Sequence, residues 1–132
     1  MKGQSAFEMF VTIVALLAFT LPIIFLITSS SQLRLEDLSV FHGRTTVQQL
    51  SDTINEAYLQ GNGSVRTLVL DLPANTQNLT VSGGEVTLYL ITETGPYEIS
   101  HAIFANASNF TLTGSGLRNV NIRIAGTRVV LK

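Results

Sequence analysis

The chain has no cysteine, no tryptophan, only three prolines, and charge on only 13% of its 132 residues. Without cysteine there is no disulfide framework, no thiol nucleophile and no thiolate metal site, and a disulfide-free surface protein is as admissible as an intracellular one. The scarcity of charge excludes long acidic or basic tails, and the length excludes a multidomain enzyme, leaving one domain with an appendage. Eight Lys+Arg stand against nine Asp+Glu. Along the chain the formal charge is 0 over 1–28 (one base, one acid), −2 over 29–60 (two, four) and +1 over 61–132 (five, four). No segment carries the basic field that nucleic acid demands.

What is present in excess is apolar surface, and it sits in one place. Met9 to Ile27 reads MFVTIVALLAFTLPIIFLI, 19 residues without a charge, about the ~20 that a helix needs to cross the hydrocarbon layer. Pro22 lies inside this run, where it removes a backbone hydrogen bond, and the expectation is a kink or a loosened turn. A secretory signal fits poorly, because the basic region is Lys2 alone and the apolar run is too long; cleavage near Ser29–Ser31 is weakly coded. A plain anchor accounts for the run and for Lys2 on the cytoplasmic side, but leaves Glu8 at its edge unexplained. A carboxylate at the centre of such a helix costs about 2.5–3.5 kcal/mol and less at the edge, so Glu8 either stays among the headgroups or has a partner.

Met1-Lys2-Gly3 followed by Gln4-Ser5-Ala6-Phe7-Glu8 and then the apolar run resembles the class III signal peptide of archaeal type IV pilins. The resemblance implies that a prepilin peptidase cuts between Gly3 and Gln4 on the cytoplasmic side, and that the apolar segment stays on as the assembly helix. It further implies that the Glu8 carboxylate is neutralised in the filament core by the amine released on Gln4 of a neighbouring subunit. That pairing exists only after cleavage, which couples processing to assembly through one charge, since a buried carboxylate is tolerated when paired and penalised when alone. The match is specific over 1–28; beyond that it is one of architecture only.

After Thr28-Ser29-Ser30-Ser31 an amphipathic stretch begins. Leu35, Leu38 and Phe41 or His42, then Val47, Leu50, Ile54, Ala57 and Tyr58, recur at helical spacing, with Glu36, Asp37, Asp52 and Glu56 off the stripe. The stripe requires a partner surface, and Gly61-Asn62-Gly63 supplies a C-cap and turn. A continuous helix over Gln4–Gln60, 57 residues, spans about 85 Å, with Ser29–Ser31 and Gly43 as its weak points. The other reading is a membrane helix and a separate amphipathic one.

From Val65 the period becomes two. Strands are expected at 67–72, 79–81, 85–91, 97–103, 110–112, 120–124 and 128–131, parted by turn signals at Pro73, Ser82-Gly83-Gly84, Gly95-Pro96, Gly114-Ser115-Gly116 and Ala125-Gly126-Thr127. The gaps are too short for crossover helices, so pairing is antiparallel, in a small sandwich or in one sheet covered by the helix stripe. The fold class expected is α+β: a leader over 1–3, a helix over 4–60 and a β-rich, sandwich-like head over 61–132.

Four N-x-[S/T] sequons fall in the head, at Asn62, Asn78, Asn106 and Asn109. If the head faces outward these are candidate glycan acceptors, which the resemblance to archaeal pilins favours; a Thr-rich strand also generates such triplets through β-propensity alone. For catalysis nothing converges. His42 and His101 fall in different elements with no metal-ligand spacing, the glycine clusters are neither a P-loop nor G-x-G-x-x-G, and Asp71, Glu85, Glu93 and Glu98 are scattered. Arg118, Arg123, Arg128 and Lys132 read as the solvated face of one hairpin or as a contact for an anionic surface.

These readings converge on a structural subunit rather than an enzyme, with no cofactor, metal, nucleic acid or small-molecule substrate. The resemblance implies that it is inserted through 9–27, cleaved after Gly3 by the peptidase, handled by a pilus assembly machinery and polymerised as a homo-oligomeric helical filament for adhesion at the cell surface. Phe10, Leu16, Leu17, Ile24 and Phe25 are the expected helix contacts, with Gln4 and Glu8 at the start and Pro22 shaping the curvature. A minor pilin, or a membrane-anchored binding module that never polymerises, is the alternative.

Overall fold

The computed structural model describes residues 2–132; Met1 of the expected leader and the side chains of Lys2, Gln32 and Leu33 lie outside the described residues. Among the described residues there is one helix, α1 (Lys2–Gln60). Seven strands follow it: β1 (Val65–Leu72), β2 (Thr76–Ser82), β3 (Glu85–Thr92), β4 (Gly95–Ala102), β5 (Phe110–Thr113), β6 (Gly116–Ala125) and β7 (Arg128–Leu131). The architecture is the expected α+β one. Helix α1 is unbroken at Pro22, at Ser29–Ser31 and at Gly43, so the two-helix alternative is not what forms. Pro22 withholds one N–H from the carbonyl of Ala18, and the loss of that single bond leaves the helix assignment uninterrupted. Gly61, at φ +89°, ends the helix in the left-handed conformation that a side chain resists.

The strands form two antiparallel sheets, in the orders β1-β6-β7 and β4-β3-β2-β5. Every expected strand is present, and β6 begins earlier than its apolar residues suggest because Gly116 to Arg123 pair along the whole of β1. Gly83 and Gly84 both have positive φ, +60° and +83°, the geometry of a two-residue hairpin whose twist matches its strands.

The chain divides into two compact units, the first ending at Asp37 and the second running Leu38–Lys132. In the second unit the last turns of α1 belong to the core. Val47, Leu50, Ile54 and Ala57 are buried in one cluster with Leu70 and Leu72 of β1, Leu79 of β2, Leu88 and Leu90 of β3, and Ile122 and Ile124 of β6. Gly43 permits this packing: a Cβ there would lie 2.9 Å from Ile99 Cδ1 and 3.0 Å from Leu88 Cδ2. The glycine read as a weak point of the helix is thus a point of close approach to the β3–β4 surface. At the edge of β1, the buried Thr46 hydroxyl lies 3.0 Å from the carbonyl oxygens of both Asp71 and His42, and His42 Nε2 is 3.5 Å from Asp71 Oδ2. On the other side of that sheet, Ser108 N–H donates to Val129 O at 2.7 Å and Val129 N–H to Asn106 O at 2.8 Å, covering β7. The β7 edge is thereby paired by backbone, while at the β1 edge the Asp71 carbonyl is engaged by the Thr46 hydroxyl.

One expectation is corrected. The helical stripe from Leu35 to Tyr58 does not share a single partner: Val47, Leu50, Ile54 and Ala57 are buried, while Leu38 and Phe41 are 62% and 68% exposed. The physical reason is phase, since nine residues, or two and a half turns, separate Phe41 from Leu50 and place them on opposite sides of the helix.

Substituting Gly43→Leu is expected to destabilise the second unit by about 1–3 kcal/mol through overpacking. Gly43→Ala is expected to change stability by less than about 1 kcal/mol, because the gain in helix propensity offsets the crowding. Urea unfolding of the detergent-solubilised protein, followed by circular dichroism, measures both.

Candidate functional site

The first unit presents its side chains outward on every side. All residues from Gly3 to Thr28 are exposed, and the helix is long and apolar enough to cross a membrane. Four of its hydroxyls are hydrogen-bonded within the helix. The hydroxyls of Thr12, Thr20, Thr28 and Ser31 donate to the carbonyls of Glu8 (2.8 Å), Leu16 (3.0 Å), Ile24 (2.9 Å) and Ile27 (2.9 Å), four residues back in each case. Each hydroxyl is thereby satisfied within the helix and needs no water.

The residues expected to act in assembly all lie on this surface. Gly3 and Gln4 occupy the first turn and Glu8 follows, all three exposed. Phe10, Leu16, Leu17, Ile24 and Phe25 are between 52% and 71% exposed. Helical geometry groups some of them: Phe10, Leu17 and Ile24 recur every seven residues and share one side, whereas Leu16 and Phe25 fall on others. The same spacing, continued through Ser31, reaches Leu38 in the second unit.

The four sequons differ in setting. Asn62 is exposed in the turn after α1, where its Oδ1 accepts from Gly126 N–H at 2.9 Å. Asn106 and Asn109 are exposed in the segment before β5. Asn78 is half-buried in β2, an inner strand of its sheet, and its Oδ1 is enclosed without a partner. Asn75 Oδ1 and Thr76 Oγ1 share that lack, beside the register shift between Thr76 and Asn78 where the β2–β3 ladder is interrupted.

Scattered chemistry stays scattered. His42 pairs with Asp71, while His101 sits exposed on β4 with its Nδ1 3.1 Å from Ala102 O. Among the described residues no three His, Cys, Asp or Glu side chains group as metal ligands. Glu85 and Glu98 lie on β3 and β4, and Glu93 in the turn between those strands. The basic residues near the C-terminus do gather. In β6, Leu117, Asn119, Asn121, Arg123 and Ala125 alternate with the buried Val120, Ile122 and Ile124, so Arg123 lies on the outward face, as do Arg128 and Lys132 by the register of β7. Arg118 has the opposite parity and stands apart. A cavity of about 420 Å³ opens on this face, lined by Val65, Asn121, Arg123, Ala125, Val130 and Lys132. Another, of about 390 Å³, lies between α1 and β4, where Arg44 Nη2 donates to the Tyr97 hydroxyl at 3.2 Å.

No family model, curated protein or solved structure matches this chain.

Leu17→Arg places a charge near the middle of the apolar run, at a cost of about 2.5–3.5 kcal/mol for insertion. The variant is expected to move from the carbonate-resistant membrane fraction into soluble or aggregated fractions, as read by fractionation and immunoblotting.

Proposed function

We propose that the protein is a structural subunit of a type IV pilus-like filament. In this reading it is inserted through its N-terminal helix, cleaved between Gly3 and Gln4, and polymerised by packing that helix against copies of itself. The observation that carries the reading is apolar surface left over after membrane insertion. Met9–Ile27 suffices for a bilayer, yet Leu38 and Phe41, 11 and 14 residues after Ile27, are again exposed. A monomeric anchor leaves these side chains in water; a bundle of neighbouring helices buries them. Glu8 has a role in the same scheme, as the partner of the Gln4 amine of an adjacent copy, and the head supplies the outer, adhesive surface. Asn62, Asn106 and Asn109 are the acceptors through which an outward-facing head carries glycans, since Asn78 is held in an inner strand.

The rival, a membrane-anchored binding module, draws on the basic cavity of the head. Intact mass and N-terminal sequencing of protein from membranes and from sheared surface material separate the two. A start at Gln4 in sheared fibres is expected; a start at Met1 confined to membranes overturns the filament. The paired substitution Leu38→Glu and Phe41→Glu is expected to leave membrane insertion intact and to abolish fibres in negative-stain micrographs. Glu8→Ala is expected to reduce assembly, and fibres as abundant as the parent's would remove its proposed role. Peptide mapping of the fibres is expected to find glycan on Asn62, Asn106 or Asn109 and an unmodified Asn78.

A further inference from the structure

The outward face of the β1-β6-β7 sheet brings together groups that the assembly of helices leaves unused. Val65, Arg123 and Val130 stand in register across the three strands. Asn121 and Lys132 exchange backbone hydrogen bonds at 2.8 and 3.0 Å, which brings Lys132 alongside β6. These residues line the 420 Å³ cavity. Thr67 Oγ1 donates to Asn121 Oδ1 at 2.9 Å, which fixes the amide and leaves its two N–H donors for something else. The cavity therefore offers a planar cationic fork, a second cation, an oriented amide and an aliphatic floor of Val65, Ala125 and Val130.

We propose that this cavity binds an acidic saccharide, a carboxylate-bearing unit of a polysaccharide outside the cell. Arg123 takes the carboxylate through two parallel N–H donors, the geometry in which guanidinium outperforms ammonium. Lys132 adds charge, the Asn121 amide donates to ring hydroxyls, and the C–H face of the sugar lies on the aliphatic floor. Nucleic acid is the poorer fit, because this face has no aromatic side chain on which a base stacks, and the head's net charge of +1 (five bases, four acids) is small. The inference rests on the outward-facing head of the proposed function for its biological use, and it names what the adhesive surface holds.

Its test needs no filament. The full chain in detergent micelles is immobilised and titrated with polygalacturonate, neutral dextran and a poly-dT oligonucleotide. Polygalacturonate is expected to bind more tightly than either of the others. Arg123→Ala is expected to weaken that binding about tenfold, Arg123→Lys by less, and Arg118→Ala, a base of the same hairpin outside the cavity, not at all. Equal binding of the oligonucleotide, equal losses in Arg118→Ala and Arg123→Ala, or an absence of polygalacturonate binding each overturns the proposal. Because fibres play no part in the measurement, its failure leaves the assembly reading standing, and a failure of assembly leaves the binding result intact.

Discussion

The second unit depends on one contact, the burial of the last turns of the helix within the cluster formed by both sheets. Val47, Leu50, Ile54 and Ala57 are as deeply buried as any strand residue, and full burial of a single large aliphatic side chain is worth about 1.5–3 kcal/mol. Strands alone would leave the inner sheet surfaces open along the line that the helix fills. Gly43 sets how closely the helix approaches, and Thr46 fixes where it lies along β1 by placing its hydroxyl at the Asp71 carbonyl. With that face committed to the core, the opposite side of the same turns must point away from it. The exposure of Leu38 and Phe41 is therefore a consequence of how the head folds, and no local rearrangement of the helix buries both sets at once.

Much of this was legible from the residues, for identifiable reasons. Strands were readable because each is short, alternating and bounded by glycine or proline, and their antiparallel order followed from gaps too short for crossovers. The helix was readable because its apolar run and its cap at Gly61 are strong local signals. Tertiary placement was the illegible part. Leu38 and Phe41 look like the same stripe as Leu50 and Ile54 when residues are matched by spacing alone, and only the phase over several turns separates them. Gly43 reads as a helix breaker until the strands packed on it are known. In the same way Asn78 is indistinguishable from Asn62 as a triplet, and the difference between an inner strand and an exposed turn comes from strand order. Of the four basic residues near the C-terminus, the meeting of Arg123 and Lys132 at one cavity depends on the register that sets Val65, Arg123 and Val130 side by side.

In the proposed reading the exposed apolar surface of the helix divides by solvent, and the division bears on how such a chain would associate. Within a bilayer, lipid tails are as apolar as leucine, so Met9–Ile27 gains no hydrophobic free energy by exchanging lipid for a neighbouring helix. Association there rests on close packing and on polar groups with few alternatives, and the back-bonded hydroxyls of Thr12 and Thr20 are already satisfied within the helix. Glu8 is the exception in that reading, where the Gln4 amine of a neighbouring copy partners its carboxylate. Leu38 and Phe41 are in a different position, because in water their burial is favourable by the full hydrophobic term. The residues most able to drive helix association in this chain are thus the few outside the apolar run. In that reading the long run makes association permissible without favouring it.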